Sequence, residues 1–326
     1  MDIFYFALIT YNQENFVQET LNSFKYQIQN YGRNYSFNLI IVDDASDDNT
    51  IQVIKNWIDK NNRLFHEVIW QLNGVNRGVV KNYQFIIDKI PINCHFKLLA
   101  GDDVLSHLNM FSSYEKLNDT MLITHVRLLL KNGVVSYDDD QLLAFYDHLL
   151  HATSKKCRLV RMRRGGYLHT PSTIYTKKLY LSAGCSEYNS NFCLFEDDPS
   201  WYAMIKNTND LDIYFVKKPI VLYRISDFAI SNGKGEMHKK FLDELYRLVG
   251  IYYKDSSGLE RLYHWARLHN EIPKIIRYST YVDYFRKIYL RIKYSNDKSY
   301  KKFKRDIDVI VEQEQKYYDV YIKKTA

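Results

Sequence analysis

Residues 95–105, HFKLLAGDDVL, form an apolar run that ends in glycine and two adjacent carboxylates, Asp102 and Asp103. A strand that ends this way sets acceptor-only oxygens at the carboxyl rim of a sheet, where open α/β folds bind ligands. Hard divalent cations such as Mn²⁺ or Mg²⁺ take such oxygens. They are commonly shared between one or two carboxylates and the phosphates of a substrate. Gly-Asp-Asp is also good turn chemistry after a strand, so its meaning depends on the chain around it.

Upstream, the chain alternates strand and helix. Residues 3–9, IFYFALI, are continuously apolar, which suits a strand buried on both faces of a parallel sheet. The polar break Thr10-Tyr11-Asn12-Gln13 leads into a helix over 14–27, with Phe16, Leu21, Phe24 and Ile28 at helical spacing. Residues 37–42 are a second strand, followed by the run Asp43 to Thr50 and a helix marked by Ile51, Ile54, Trp57 and Ile58. Residues 66–71 read as a third strand. The loop Asn73-Gly74-Val75-Asn76-Arg77-Gly78 then precedes a helix over about 79–88, and the fourth strand is the opening stretch. Four strands in βα order predict an α/β fold with a parallel, doubly wound sheet whose functional loops gather at one edge. That edge receives Asn12, Asp44 and Asp103. Ser46 to Asp48 read as caps of a helix N-terminus, whereas Asp43 and Asp44 end the strand, where an Asp can accept a hydrogen bond from a base N–H.

The 326 residues are 46% apolar and 25% charged, an ordinary globular balance long enough for one large core or two domains. No uncharged apolar window approaches the roughly 18 residues of a spanning helix. The start, MDIFYFALITYN, lacks a basic region and a small-residue cleavage site, so a cytoplasmic protein is expected. Cys94, Cys157, Cys185 and Cys193 lack the paired spacing of a zinc site and read as reduced and structural. The net charge of +7 is unevenly placed: residues 274–305 carry eleven Lys or Arg against Asp283 and Asp297, so the rest of the chain sums to −2.

Five segments, ALITYNQENFVQETLNSF, LIIVDDASDDNT, NGVNRGVVKN, LLAGDDVL and FEDDPSWYAMI, resemble those of the family-2 glycosyltransferases of the GT-A fold, in that family's order and roughly at its spacing. They span about residues 3–225, and the resemblance is to bacterial enzymes of polysaccharide and lipopolysaccharide synthesis. It implies a metal-dependent, inverting enzyme that moves a sugar, most often from a UDP-sugar, to a hydroxyl of a saccharide or lipid-linked saccharide acceptor. Carried over residue by residue, it places Thr10, Tyr11 and Asn12 around the nucleoside and Asp44 on the base. Asn76, Arg77, Gly78 and Lys81 would face the nucleotide, Asp102 would lie near the ribose, and Asp103 would hold the metal. For Arg77 and Lys81, a solvated helix start is the other reading.

The second half supplies an acceptor side. Residues 119–130 look like one further strand, with 133–137 returning against it. Residues 155–166, KKCRLVRMRRGG, read as a flexible cationic loop suited to phosphate oxygens, or as a solvated surface loop. His169 to Tyr175 resembles the segment that closes the pocket beneath the sugar. Glu196-Asp197-Asp198 opens a helix through about residue 205, where acids are good dipole partners. The resemblance makes Asp197 the general base and Glu196 its support. Relatives often place a histidine after Tyr-Arg. Here Ile225 and Ser226 follow Tyr223-Arg224, leaving Asp227 or His169 as substitutes, and residues 231–235 read as a lid.

The catalytic domain is therefore expected over 1–235, with a nucleotide-sugar half at 1–105 and an acceptor half at 106–235. A helical, basic, Tyr-rich region follows over 236–326. Within it, 281–294 reads as an amphipathic helix that carries Tyr281, Tyr284, Phe285, Ile288, Tyr289 and Ile292 on one face and Arg286, Lys287, Arg291 and Lys293 largely off it. Such a helix can lie on an anionic membrane surface, making the enzyme peripheral on the inner face of the cell membrane, or can pack on its own domain or in a homodimer. Two other classes fit parts of the sequence. Nucleic-acid binding would use the basic, tyrosine-rich 274–305, although no nucleic-acid partner is expected. A sugar nucleotidyltransferase would share the metal-carboxylate logic but leave Glu196 and Asp197 without work.

Overall fold

The computed structural model describes residues 2–164, 168–225, 236–269, 271 and 282–323. Four parallel strands, β1 (Asp2–Thr10), β2 (Tyr35–Asp43), β3 (Glu67–Leu72) and β4 (His95–Ala100), pair in the order β3-β2-β1-β4. Helices α1 (Val17–Tyr31), α2 (Thr50–Asn61) and α3 (Val79–Lys89) connect them. The doubly wound expectation holds, and the burial explains why β1 lacks polar alternation. Phe4, Phe6 and Leu8 pack on one face with Leu21, Phe24 and Ile54, and Tyr5 and Ala7 pack on the other with Tyr83 and Ile86.

The register brings the strand ends level: Thr10 pairs with Asp43, Asp43 with Leu72, and Ile9 with Ala100. The three polar loops that follow therefore leave from one rim. Beyond β4, two small sheets complete the molecule. One has the order β10-β6-β9, from β6 (Met121–His125), β9 (Thr173–Ile174) and β10 (Asp212–Val216). The other has the order β5-β11-β7-β8, from β5 (Val104–Leu105), β7 (Leu128–Lys131), β8 (Val134–Ser136) and β11 (Val221–Arg224).

Two expectations are corrected. Residues 119–130 are two strands broken at Val126-Arg127, because β6 pairs with β10 whereas β7 pairs with β11. Residues 155–163 form a helix, Lys155–Arg163, capped by the Ser154 hydroxyl, which accepts from the Cys157 N–H at 3.2 Å. Lys and Arg are good helix formers, and Arg163 donates two bonds of 2.8 Å to the buried Glu260, a partner 97 residues away that local patterning cannot reveal. Gly165 and Gly166 lie outside the described residues.

The helices Glu236–Lys254, Gly258–Leu268, Val282–Tyr294 and Lys298–Tyr317 pack into the same cores as the strands. Leu248 and Tyr252 join the cluster of Tyr5 and Ala7. Leu290, Phe303, Ile307 and Tyr318 cover Val104, Leu128, Leu130 and Leu222. Buried Glu314 takes the Ser106 hydroxyl and the His107 N–H. The cations of Val282–Tyr294 pair with acids of the chain: Arg291 and Lys287 reach Asp140 while staying exposed, and Arg286 and Lys293 reach Asp147. Phe285, Tyr289 and Ile292 stay 60%, 58% and 70% exposed. Part of the basic stretch 274–305 lies outside the described residues, as do Tyr281 and the 231–235 segment. Among the described residues, no helix is long and apolar enough to cross a membrane.

Candidate active site

The first three loops at the rim are fixed by their own polar side chains. Thr10 donates to Asp43 at 2.8 Å, and Asp43 also accepts from the Ser46 N–H and hydroxyl at 2.9 and 2.6 Å. Asn12 adopts φ 52° and exchanges bonds with the second loop, its N–H to the Ser46 hydroxyl and its Oδ1 from the Asp47 N–H. Tyr11 projects outward, 47% exposed.

Asp44 is buried and its carboxylate is largely occupied by the third loop. It accepts from Asn73 Nδ2 at 3.0 Å, Arg77 N at 2.7 Å and Gly78 N at 3.0 Å. A carboxylate offers about four lone-pair positions, so roughly one remains for a ligand. Arg77, Asn76 and Lys81 are exposed around it. Gly78, at φ 83°, is required: a Cβ there would stand 2.8 Å from the Cys193 carbonyl oxygen. Val80 N donates to that same oxygen at 3.1 Å, so the donor-side loop rests directly on the chain leading to Glu196.

At the end of β4, Gly101 lets the chain pass Thr10, whose Cγ2 would be 2.6 Å from an added Cβ. Asp103 is 1% exposed. Its Oδ1 accepts from the Arg224 N–H at 2.9 Å, while Oδ2 has no hydrogen-bond partner among the described residues. Arg224 also donates Nε to the Asp102 carbonyl at 2.7 Å and pairs with Glu19, which in turn accepts from the Tyr318 hydroxyl. Burial pushes Asp103 well above the usual carboxylate range, and the neighbouring Asp102 carboxylate adds to this; Asp102 is itself raised by burial.

Of the acids in the second half, Asp197 lies within electrostatic reach of the same Tyr223 as Asp102 and Asp103. Burial raises Asp197, against the Asp198 N–H (2.7 Å to its Oδ1) and neighbouring Thr170. Glu196 is pushed well above its usual range by burial and then by Asp197, and Asp198 is pushed up to about 8 by the same two causes. Tyr223 ties the two acidic pairs together: burial, Asp103, Asp102 and Asp197 all push its phenol up, to about 12. His169 stands edge-on to the Tyr223 ring at 4.6 Å and is held well below its usual range by burial, Arg127 and Lys97. Asp227 lies outside the described residues.

The sequence reading missed three groups. Lys97 is buried at 2% exposure in β4, donates to the Pro171 carbonyl, and is pushed down to about 7 by burial against the attraction of Asp103. A charge inside an apolar strand was the available signal. Arg224 braces both Asp102 and Asp103, which its place after Tyr223 did not reveal. Glu244, on the Glu236–Lys254 helix, is 3% exposed and accepts from the N–H groups of Cys193, Leu194 and Phe195 at 2.9, 2.8 and 3.3 Å. It thereby anchors the chain just before Glu196.

The donor set fits a hard cation. An unpartnered, buried carboxylate oxygen beside a second carboxylate is under-compensated until positive charge arrives. Among the described residues, no group of three or more His, Cys, Asp or Glu is placed to hold an ion, and the Asp102-Asp103 pair matches the one or two carboxylates with which Mg²⁺-type sites share substrate phosphates.

Residues 5–89 match the model of glycosyl transferase family 2. A protein of Mycoplasma genitalium described as an uncharacterised glycosyltransferase is 32% identical over 107 residues, 32% of this chain and 34% of that protein, so the chain spans about a third of that relative's length. The crystal structure of GalNAc-T7 with UDP, GalNAc and Mn²⁺ superposes with a TM-score of 0.51 at 13% identity, covering 80% of this chain and 50% of that one. S. aureus TarS 1–349 in complex with UDP-GlcNAc gives a TM-score of 0.48 at 16% identity, over 82% and 79% of the two chains. The fold is that of the GT-A glycosyltransferases. The matched segment 5–89 carries β1 to α3 and with them the loops of Thr10, Asp44 and Gly78.

Proposed function

We propose that the protein is a metal-dependent, inverting glycosyltransferase that moves a sugar from a UDP-sugar to a hydroxyl of a saccharide acceptor. The observation that carries this reading is the unpartnered Oδ2 of buried Asp103, within electrostatic reach of the same Tyr223 phenol as Asp197. GalNAc-T7, on this fold, was crystallised with UDP, GalNAc and Mn²⁺, which supports a nucleotide-sugar donor and a divalent metal here.

In this reading Thr10, Tyr11, Asn12 and Asp44 receive the nucleoside, Asn76, Arg77, Gly78 and Lys81 border the nucleotide, and Asp102 lies by the ribose. Asp103 holds Mn²⁺ or Mg²⁺, which when bound supplies Lewis-acid stabilisation of the charge that grows on the departing diphosphate. Asp197 takes the proton of the attacking acceptor hydroxyl. Its raised pKa brings it nearer to working pH, where a general base is most effective. Glu196, pushed well above its usual range by burial and by Asp197, supports Asp197. Attack opposite the leaving diphosphate inverts the sugar carbon.

The exposed Phe285, Tyr289 and Ile292 support a peripheral membrane position and a lipid-linked acceptor. The pairing of the same helix's cations with Asp140 and Asp147 favours contact through its aromatic face. Full-length protein with Phe285→Asp and Ile292→Asp should lose flotation with vesicles; unchanged flotation refutes the membrane placement.

The activity test is UDP release from a panel of UDP-sugars with Mn²⁺, comparing wild type with Asp197→Asn. The variant is expected to bind UDP unchanged and to turn over about 10² to 10⁴ times more slowly. Equal turnover removes Asp197 as the base.

A further inference from the structure

A charged cavity elsewhere on the molecule is lined by none of the residues placed above in the candidate active site. It has a volume of about 410 Å³ and lies between the Lys155–Arg163 helix and Arg286 of the Val282–Tyr294 helix, lined by Ser154, Lys156, Cys157, Val160, Arg161, Arg164 and Arg286. Four cations thus converge on a space large enough for a diphosphate. The carboxylate set against them, Asp147, is divided among Arg161 at 2.9 Å, Lys293 at 3.1 Å and Arg286 at 3.9 Å. Those contacts, with the Tyr294 hydroxyl, hold Asp147 down at about 2 against its burial, so it stays ionised and its charge is already spent.

The remaining positive charge is structured. Arg164 Nε is buried with no hydrogen-bond partner among the described residues. A buried donor of a charged group without an acceptor is costly and is the feature an incoming anion would relieve. Arg161 is held in place by its bonds to Asp147 and to Cys157 Sγ, so part of the wall is ordered before any ligand arrives. Planar guanidinium groups favour phosphate oxygens, which they can meet in bidentate fashion.

We propose that this cavity binds a phosphate group, as a monoester or diphosphate, held by Lys156, Arg161, Arg164 and Arg286. Exposed Phe285 and Tyr289 lie on the same helix as Arg286 and would accommodate an apolar tail, so a lipid phosphate and a soluble phosphate share the same head-group chemistry here. The proposal does not depend on the transferase reading.

Cys157 lines the cavity and reports its occupancy. The full-length protein is treated with N-ethylmaleimide, and the alkylation rate of the Cys157 peptide is read by mass spectrometry against those of Cys94 and Cys193. The probes are inorganic phosphate, pyrophosphate, phosphatidylcholine vesicles, and the same vesicles with phosphatidic acid. Pyrophosphate is expected to slow alkylation of Cys157 alone. The half-protecting concentration should rise at least about tenfold in Lys156→Ala/Arg164→Ala, the equivalent of losing about 1.4 kcal/mol of binding. A thermal melt close to wild type certifies that the variant is folded. If the variant does not fold, 0.5 M NaCl on wild type replaces it, because an electrostatic site must weaken with screening. Protection by phosphatidic acid vesicles but not by free phosphates assigns the site to lipid, and the converse assigns it to a soluble phosphate. No protection by any probe, or protection unaffected by both the variant and salt, overturns the proposal.

Discussion

Glu244→Ala should weaken the protein and disable its catalytic half together. The Glu244 carboxylate takes three backbone N–H groups, at 2.9, 2.8 and 3.3 Å, from the residues that lead to Glu196 and Asp197. A hydrogen bond to a charged group contributes about 1.5–3 kcal/mol, so three such bonds set a ceiling of about 4.5–9 kcal/mol. Cys193 and Leu194 are half-buried, and water can replace the carboxylate there. The longest of the bonds, to the buried Phe195 N–H, is the weakest of the three. The expected loss is therefore about 3 kcal/mol, read as a lower urea midpoint at unchanged slope. Glu244→Gln keeps a neutral acceptor and should lose about half as much. On the proposed function, both variants should bind UDP, assigned to the other half, while turnover falls more than binding as Asp197 is released from its register. A loss below about 1 kcal/mol for Glu244→Ala, or full turnover, refutes the anchoring argument.

Gly78→Ala meets both a positive φ and the Cys193 carbonyl, so it should destabilise by at least about 2 kcal/mol and weaken UDP binding; wild-type urea midpoints would show that the loop relaxes freely. Lys97→Met should flatten part of the pH dependence. The folded pKa of about 7 lies below the ordinary 10.5, so between these values the unfolded chain holds a proton that the folded chain has shed, and wild-type stability rises with pH. The difference in urea midpoint between variant and wild type should shrink or reverse from pH 7 to pH 10, and a constant difference contradicts the buried charge. Asp147, held at about 2, contributes stability that is fully present above its unfolded pKa near 3.8 and is lost as pH falls through about 2. Asp147→Asn should therefore lose most at neutral pH and little near pH 2, by calorimetry.

The central sheet was legible because its signals are local. Continuous apolar strands, polar breaks and glycine punctuation each lie within a few residues, so β1 to β4 and their helices fall where the sequence places them. The acidic pairs were equally visible as types, and the structure brings Asp102, Asp103 and Asp197 around Tyr223. What stayed hidden depends on contacts distant in sequence. Arg163 looked solvated until Glu260 met it, and the strand over 119–130 looked continuous because its two halves differ only in which later strand they pair with. Glu244 and Glu314 read as ordinary helix-surface acids, yet each is buried on backbone or side-chain donors of a distant loop. Asp44 follows β2 as the sequence suggested, and the bonds it accepts from Asn73, Arg77 and Gly78 show that it organises the loop after β3.

The most direct test of the central claim is calorimetric titration of UDP, with and without Mn²⁺, into wild type and Asp103→Asn. The account predicts binding that strengthens with Mn²⁺ in wild type and loses that dependence in the variant, whose weaker metal-free binding through Thr10, Asn12 and Asp44 persists. UDP binding that is indifferent to Mn²⁺ in wild type, or equally enhanced by it in Asp103→Asn, contradicts the account.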